Sequence, residues 1–122
     1  MTADEWKKVE SKLSLPHNRV DLKIDEYEIS IITTAISKLK YGYLIYVDGK
    51  VNMKWAIEET DIRNRFYQKH SKNLLSDKER KKLKLKSTPK YYWYTPWWTS
   101  FRSLKAHLIK NNTSIELEEK FL

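Results

Sequence analysis

The chain has 122 residues, no cysteine and a net charge of +8. That length suits one domain around one core; the missing cysteine excludes disulfides and thiolate metal sites, and no apolar run approaches the roughly 18 residues of a membrane-spanning helix. The charged start MTADEWKKVESK lacks the apolar stretch of a signal peptide, so a cytoplasmic protein is expected.

The first element reads as a helix. Thr2-Ala3-Asp4-Glu5 is a capping box, and Trp6, Val9 and Leu13 follow on one face at i, i+3 and i+7. Pro16 ends it. From Arg19 the period falls to two: Val20, Leu22 and Ile24 alternate with Asp21, Lys23 and Asp25 in a first strand. Residues 27–36 read as a second strand and 41–47 as a third. Asp48-Gly49 predicts a type I′ hairpin turn into a fourth strand over 50–57. That register pairs Tyr46 with Val51, Leu44 with Met53 and Gly42 with Trp55 on the expected core face. Tyr43, Ile45 and Val47 then lie on the other face with Lys50, Asn52 and Lys54, for a helix to cover or a ligand to use.

Residues 60–69 predict a helix with Ile62 and Phe66 at i, i+4, and Ser76-Asp77-Lys78-Glu79 is a second capping box opening a helix to about residue 86. With only Leu83 and Leu85 as apolar content, that helix gains little from burial and reads as an exposed arm, supported by its cap and by lysines at the negative end of its dipole. Thr99 is a candidate cap for a last helix burying Phe101, Leu104 and Leu108, with Asn111-Asn112 as its C-cap and 114–117 as a short final strand. The expected fold is α+β. It comprises an antiparallel meander of about four strands, an N-terminal helix, and C-terminal helices plus a short final strand. Residues 1–122 form one domain, with 69–90 as a basic helical arm.

Charge is concentrated in that arm. Nine cations (Lys69, Lys72, Lys78, Arg80, Lys81, Lys82, Lys84, Lys86, Lys90) oppose only Asp77 and Glu79, so a directional field for phosphate or an acidic surface is expected there. Immediately after it, KYYWYTPWWT packs six rings into eight residues, 91–98. If 91–95 is extended, Tyr91, Trp93 and Thr95 face one side and Tyr92 and Tyr94 the other, until Pro96 breaks the period. Trp93, Trp97 and Trp98 are expected to anchor the last helix to the core, because together they would make a large exposed apolar patch. Tyr92 and Tyr94 are then left beside the lysines.

Catalytic signals are weak, and no enzyme, cofactor or metal site is expected. His17, His70 and His107 have no metal-ligand spacing, and two glycines cannot make a phosphate-cradling loop. Asp21, Asp25, Glu28, Asp48 and Glu58 lie near strands and sustain a metal-dependent nuclease only as a third reading. The stretches EWKKVESKL, VDLKIDEYEIS, YVDGK with the following KW, and above all YYWYTPWWTSFRSLKAHLIKNNTSIEL, resemble a widespread family of small phage and prophage proteins. The resemblance brings no site residues with it. It implies an accessory factor of a mobile element, with inhibitors of host defence such as anti-CRISPR proteins among the expectations.

The leading expectation is therefore binding to nucleic acid, or to a host ribonucleoprotein such as a CRISPR effector with its guide RNA. Lys78, Arg80, Lys81, Lys82, Lys84, Lys86 and Lys90 would meet phosphate, Tyr91, Tyr92 and Tyr94 would stack on bases, and Arg102 and Lys105 would add charge from the last helix. The alternative is a protein-only module docking on an acidic surface of a host enzyme. Neither reading involves a membrane or a small-molecule substrate.

Overall fold

Thr2 caps the first helix, α1 (Ala3–Leu13), in the structure, a computed structural model that describes residues 1–73, 76–84 and 90–118. Its hydroxyl accepts from the Glu5 amide at 3.1 Å, and Glu5 accepts from the Thr2 amide at 3.1 Å. The helix buries Trp6, Val9 and Leu13, the stripe read from the sequence.

Strands β1 (Arg19–Ile24), β2 (Tyr27–Ser37) and β3 (Lys40–Val47) form an antiparallel meander. Two shorter strands extend it, β6 (Trp97–Trp98) beside β3 and β7 (Ile115–Glu118) beside β1, giving the order β6-β3-β2-β1-β7. The protein is thus of the α+β class. Ile31 lies between Val20 and Ile45, and Ile29 between Leu22 and Val47, so these six share one buried face. That face is covered by α1 and by α5 (Phe101–Asn111). The Thr33 hydroxyl donates to the Leu13 carbonyl at 2.6 Å, and the Phe101 ring meets Tyr43 and Trp6 edge-on at 5.9 and 6.3 Å. Ser100, rather than Thr99, caps α5, which buries Phe101, Leu104 and Leu108 as expected.

Two expectations about the hairpin are overturned. Asp48 and Gly49 do form the turn, with φ of 51° and 79°, and Val47 bridges to Lys50. The fourth strand does not follow. Asn52 accepts from the Lys54 amide at 3.0 Å, an Asx-type turn that competes with the ladder, and the chain enters the short helix α2 (Lys54–Ile57). Without that partner strand, β2 decides which face of β3 is buried: Ile45 and Val47 face the core, while Leu44 and Tyr46 are half-buried on the opposite side.

The helix expected over 60–69 is shorter, α3 (Asp61–Phe66), because Tyr67 turns extended at φ −93°, ψ 144°. Its cap is Thr60, whose hydroxyl accepts from the Arg63 amide at 3.1 Å. The next residues form β4 (Gln68–Asn73), paired antiparallel with β5 (Lys90–Thr95) as a separate two-stranded ribbon. Between them stands α4 (Asp77–Lys82), capped by Ser76. The basic arm is therefore helical only in part, with strand at both ends. Leu85 and Lys86, where the arm helix was expected to end, lie outside the described residues. Among the described residues no helix is long and apolar enough to cross a membrane.

Candidate nucleic-acid interface

The ribbon is rooted in the core at both strands. β4 begins next to Tyr67, which is fully buried and donates from its hydroxyl to the Asn52 carbonyl at 3.3 Å. β5 runs through Pro96 into β6, so one chain segment serves the ribbon and then the edge of the main sheet. Pro96 has no amide to donate, but its carbonyl accepts from the Ile45 amide at 2.8 Å. Trp98 locks the junction by donating from Nε1 to the Phe66 carbonyl at 2.8 Å, and the Thr99 amide donates to the Gln68 side chain at 3.2 Å.

The ribbon's register gives its two faces different chemistry. His70 is opposite Trp93 and Lys72 opposite Tyr91. The His70 ring stacks on Trp93 at 5.1 Å and 12°, and Tyr91 stacks on Trp93 at 5.4 Å and 28°, making a three-ring row. Trp93 is 41% exposed and Tyr91 43%. Desolvation lowers the His70 pKa, which keeps the imidazole uncharged at neutral pH and suited to flat stacking. Its Nε2 lies 2.8 Å from the Thr95 hydroxyl, which in turn donates to the Trp97 carbonyl at 2.9 Å.

The second face carries Lys69, Tyr92 and Tyr94. The Lys69 ammonium lies 4.3 Å from the centre of the Tyr92 ring, and the Arg63 guanidinium from α3 lies 4.2 Å from that of Tyr94. The alternation expected along 91–95 is thus observed. Trp93 does not anchor the last helix, however: strand pairing with β4 turns it outward, where it carries the ring row. Of the other two tryptophans, Trp98 is buried under the core face, whereas Trp97 is half-buried on the opposite side, beside Leu44.

The expected site residues divide accordingly. Lys90, Tyr91 and Tyr92 are exposed on the ribbon, and Tyr94 is half-buried at its base. Lys78, Lys81, Lys82 and Lys84 are exposed on and just after α4, where Lys84 takes a left-handed φ of 56°. The side chain of Arg80 lies outside the described part of the structure, as does Lys86. Arg102 and Lys105 belong to α5 rather than the ribbon, and the Lys105 ammonium sits 5.6 Å from the Trp6 ring. Sequence reasoning did not bring Arg63, His70 and Trp93 to this surface, where the structure places them. The alternation of Lys69, Ser71 and Asn73 with His70 and Lys72 was the available signal, but it has no apolar member to mark a strand.

Of the carboxylates considered for metal chemistry, Asp21, Asp25, Glu28 and Asp48 have structural partners. Asp25, at φ 50°, accepts from the amides of Thr113 and Ser114 at 3.1 and 2.8 Å and from Arg65 at 2.7 Å; these bonds hold its carboxyl below the usual range. Asp21 accepts from Ser30 and Arg19, and Asp48 from the Glu28 amide at 2.9 Å. Among the described residues no cluster of three or more His, Asp or Glu could hold a metal ion. Comparison with protein-family models, with curated proteins and with solved structures found no match.

Proposed function

We propose that the protein binds single-stranded nucleic acid, free or displayed on a ribonucleoprotein, along the β4–β5 ribbon. One observation carries the reading: the row His70, Trp93 and Tyr91 leaves two large rings substantially exposed on an element that also bears Lys69, Lys72 and Lys90. Stacking faces accept any base, and lysines follow the phosphates. The exposed lysines of α4 extend the same field beyond the ribbon. On the resemblance of its sequence segments alone, we further propose that this activity belongs to a mobile-element accessory factor, one that acts on a host ribonucleoprotein such as a CRISPR effector with its guide.

Binding of single-stranded RNA and DNA across a salt series tests the reading. Affinity should fall with a log–log slope of roughly −0.7 per neutralised phosphate. Trp93→Ala should remove about 1–3 kcal/mol of binding, the worth of one stacked base. No binding at low salt would sink the proposal. So would a host protein that stays on the ribbon after nuclease digestion, since that would assign the surface to protein docking.

A further inference from the structure

A groove of about 450 Å³ opens between α2 and the second face of the ribbon. That volume falls within the roughly 300–1,000 Å³ of small-molecule sites. Its apolar wall is Met53, Ala56 and Ile57, spaced i, i+3 and i+4, and Met53 and Ile57 are exposed at 48% and 77%. Tyr92 and Tyr94 form the aromatic wall, with Lys69 and Arg63 above their rings. Among the described residues no carboxylate lines it.

Arg63 is the decisive group. Among the described residues its buried Nε has no hydrogen-bond partner and no carboxylate pairs with its guanidinium. Arg65, two positions on, is bound to both Asp25 and Asp61. A guanidinium offers five N–H donors in a plane and matches an oxyanion bidentately, so a half-buried one at the groove with an unmet donor and no carboxylate partner is poised for an anionic ligand. The ligand must also suit the aromatic and apolar walls. A planar heterocycle bearing a phosphate satisfies both requirements, with the base between Tyr92 and the α2 wall and the phosphate at Arg63 and Lys69.

We infer that this groove is a nucleotide pocket, which holds one base and its phosphate from the strand that follows the ribbon. The inference rests on the nucleic-acid reading and adds a defined subsite to it.

The two methionines, Met1 and Met53, make the test direct. Met53 lines the groove, whereas the Met1 amino group is bonded to the Ile115 carbonyl at the far edge strand. With methyl-¹³C methionine in the full chain, AMP and a short oligo(A) should shift the Met53 methyl saturably and leave Met1 unmoved. Adenosine should act more weakly, and inorganic phosphate should not saturate. Arg63→Gln should weaken AMP and oligo(A) on the order of tenfold. Ile57→Glu, at an exposed position, should do the same by blocking the wall with a like charge, and an unchanged Met1 signal certifies the fold of both variants. If oligo(A) quenches tryptophan fluorescence while Met53 stays still, the pocket is overturned and the ribbon reading survives. If AMP moves Met53 but oligo(A) does not bind at any salt, the pocket stands and the ribbon reading falls. Equal saturation by inorganic phosphate and AMP would overturn the nucleotide assignment.

Discussion

Arg63 and Arg65 occupy one short helix and meet opposite environments. Arg65 donates to Asp25 and Asp61 at 2.7 and 2.8 Å and to Asn112 at 3.3 Å, so it ties α3 to the β1–β2 turn and to the end of α5. Arg63 faces the groove over Tyr94. A second residue-scale anchor is Trp98, 4% exposed, whose Nε1 satisfies the Phe66 carbonyl. Trp98→Phe keeps most of the apolar packing but orphans that carbonyl, and should cost about 1–3 kcal/mol in urea denaturation with the slope unchanged. His107 packs against Trp98 at 4.9 Å, with its Nε2 2.9 Å from the Asn64 carbonyl, and burial lowers its pKa below the usual 6.5. The unfolded chain therefore takes up a proton before the folded one does. Stability should be fully present above about pH 6.5 and decline as pH falls below it. His70 acts with the same sign, so His107→Gln should flatten only part of the decline measured between pH 8 and 5.

At the scale of elements, the join between β3 and β6 fixes where the ribbon leaves the core. Gly42 makes that join close. A Cβ there would lie 2.8 Å from the Trp98 carbonyl oxygen and 2.9 Å from two Ile36 side-chain carbons. Gly42→Ala should destabilise by about 1–3 kcal/mol through overpacking. Because the displaced strand carries the ribbon, nucleic-acid affinity should fall as well, in contrast to a substitution at the remote Gly49 turn, whose cost is backbone strain at φ 79° and not displacement of this join. Helix α1, β1 and α5 were legible in the sequence because each buries one face and so shows a clean period, whereas β2 and β3 were legible from β-branched and aromatic composition, which left the buried face of β3 misread. The segment after Asp48-Gly49 was not. Its turn is real, but Val51, Met53 and Trp55 alternate while Met53, Ala56 and Ile57 also fit a helix, and the side chain of Asn52 tips the balance. Strand β4 left no trace for the opposite reason: QKHSKN buries too little to need any pattern.

Across the whole molecule, apolar packing and charge are separated. The core lies between one sheet face and α1 with α5, while most of the net charge resides in 69–90, on the ribbon and the segment between its strands. That localisation was legible in composition, as were the exposed rings Tyr91 and Tyr92 beside it; that Trp93 joins them was not, because its outward turn depends on pairing with a strand the sequence did not announce. The separation predicts that charge and stacking can be removed independently. Lys78, Lys81 and Lys82 are exposed on α4, so replacing all three by Gln should leave stability within about 0.5 kcal/mol per site. The salt slope of single-strand binding should shrink by about 0.7 for each phosphate that is no longer neutralised, roughly two in all. Trp93→Ala should do the reverse, lowering affinity at every salt concentration while the slope keeps its value. A triple variant with an unaltered slope would remove α4 from the interface and confine binding to the two faces of the ribbon.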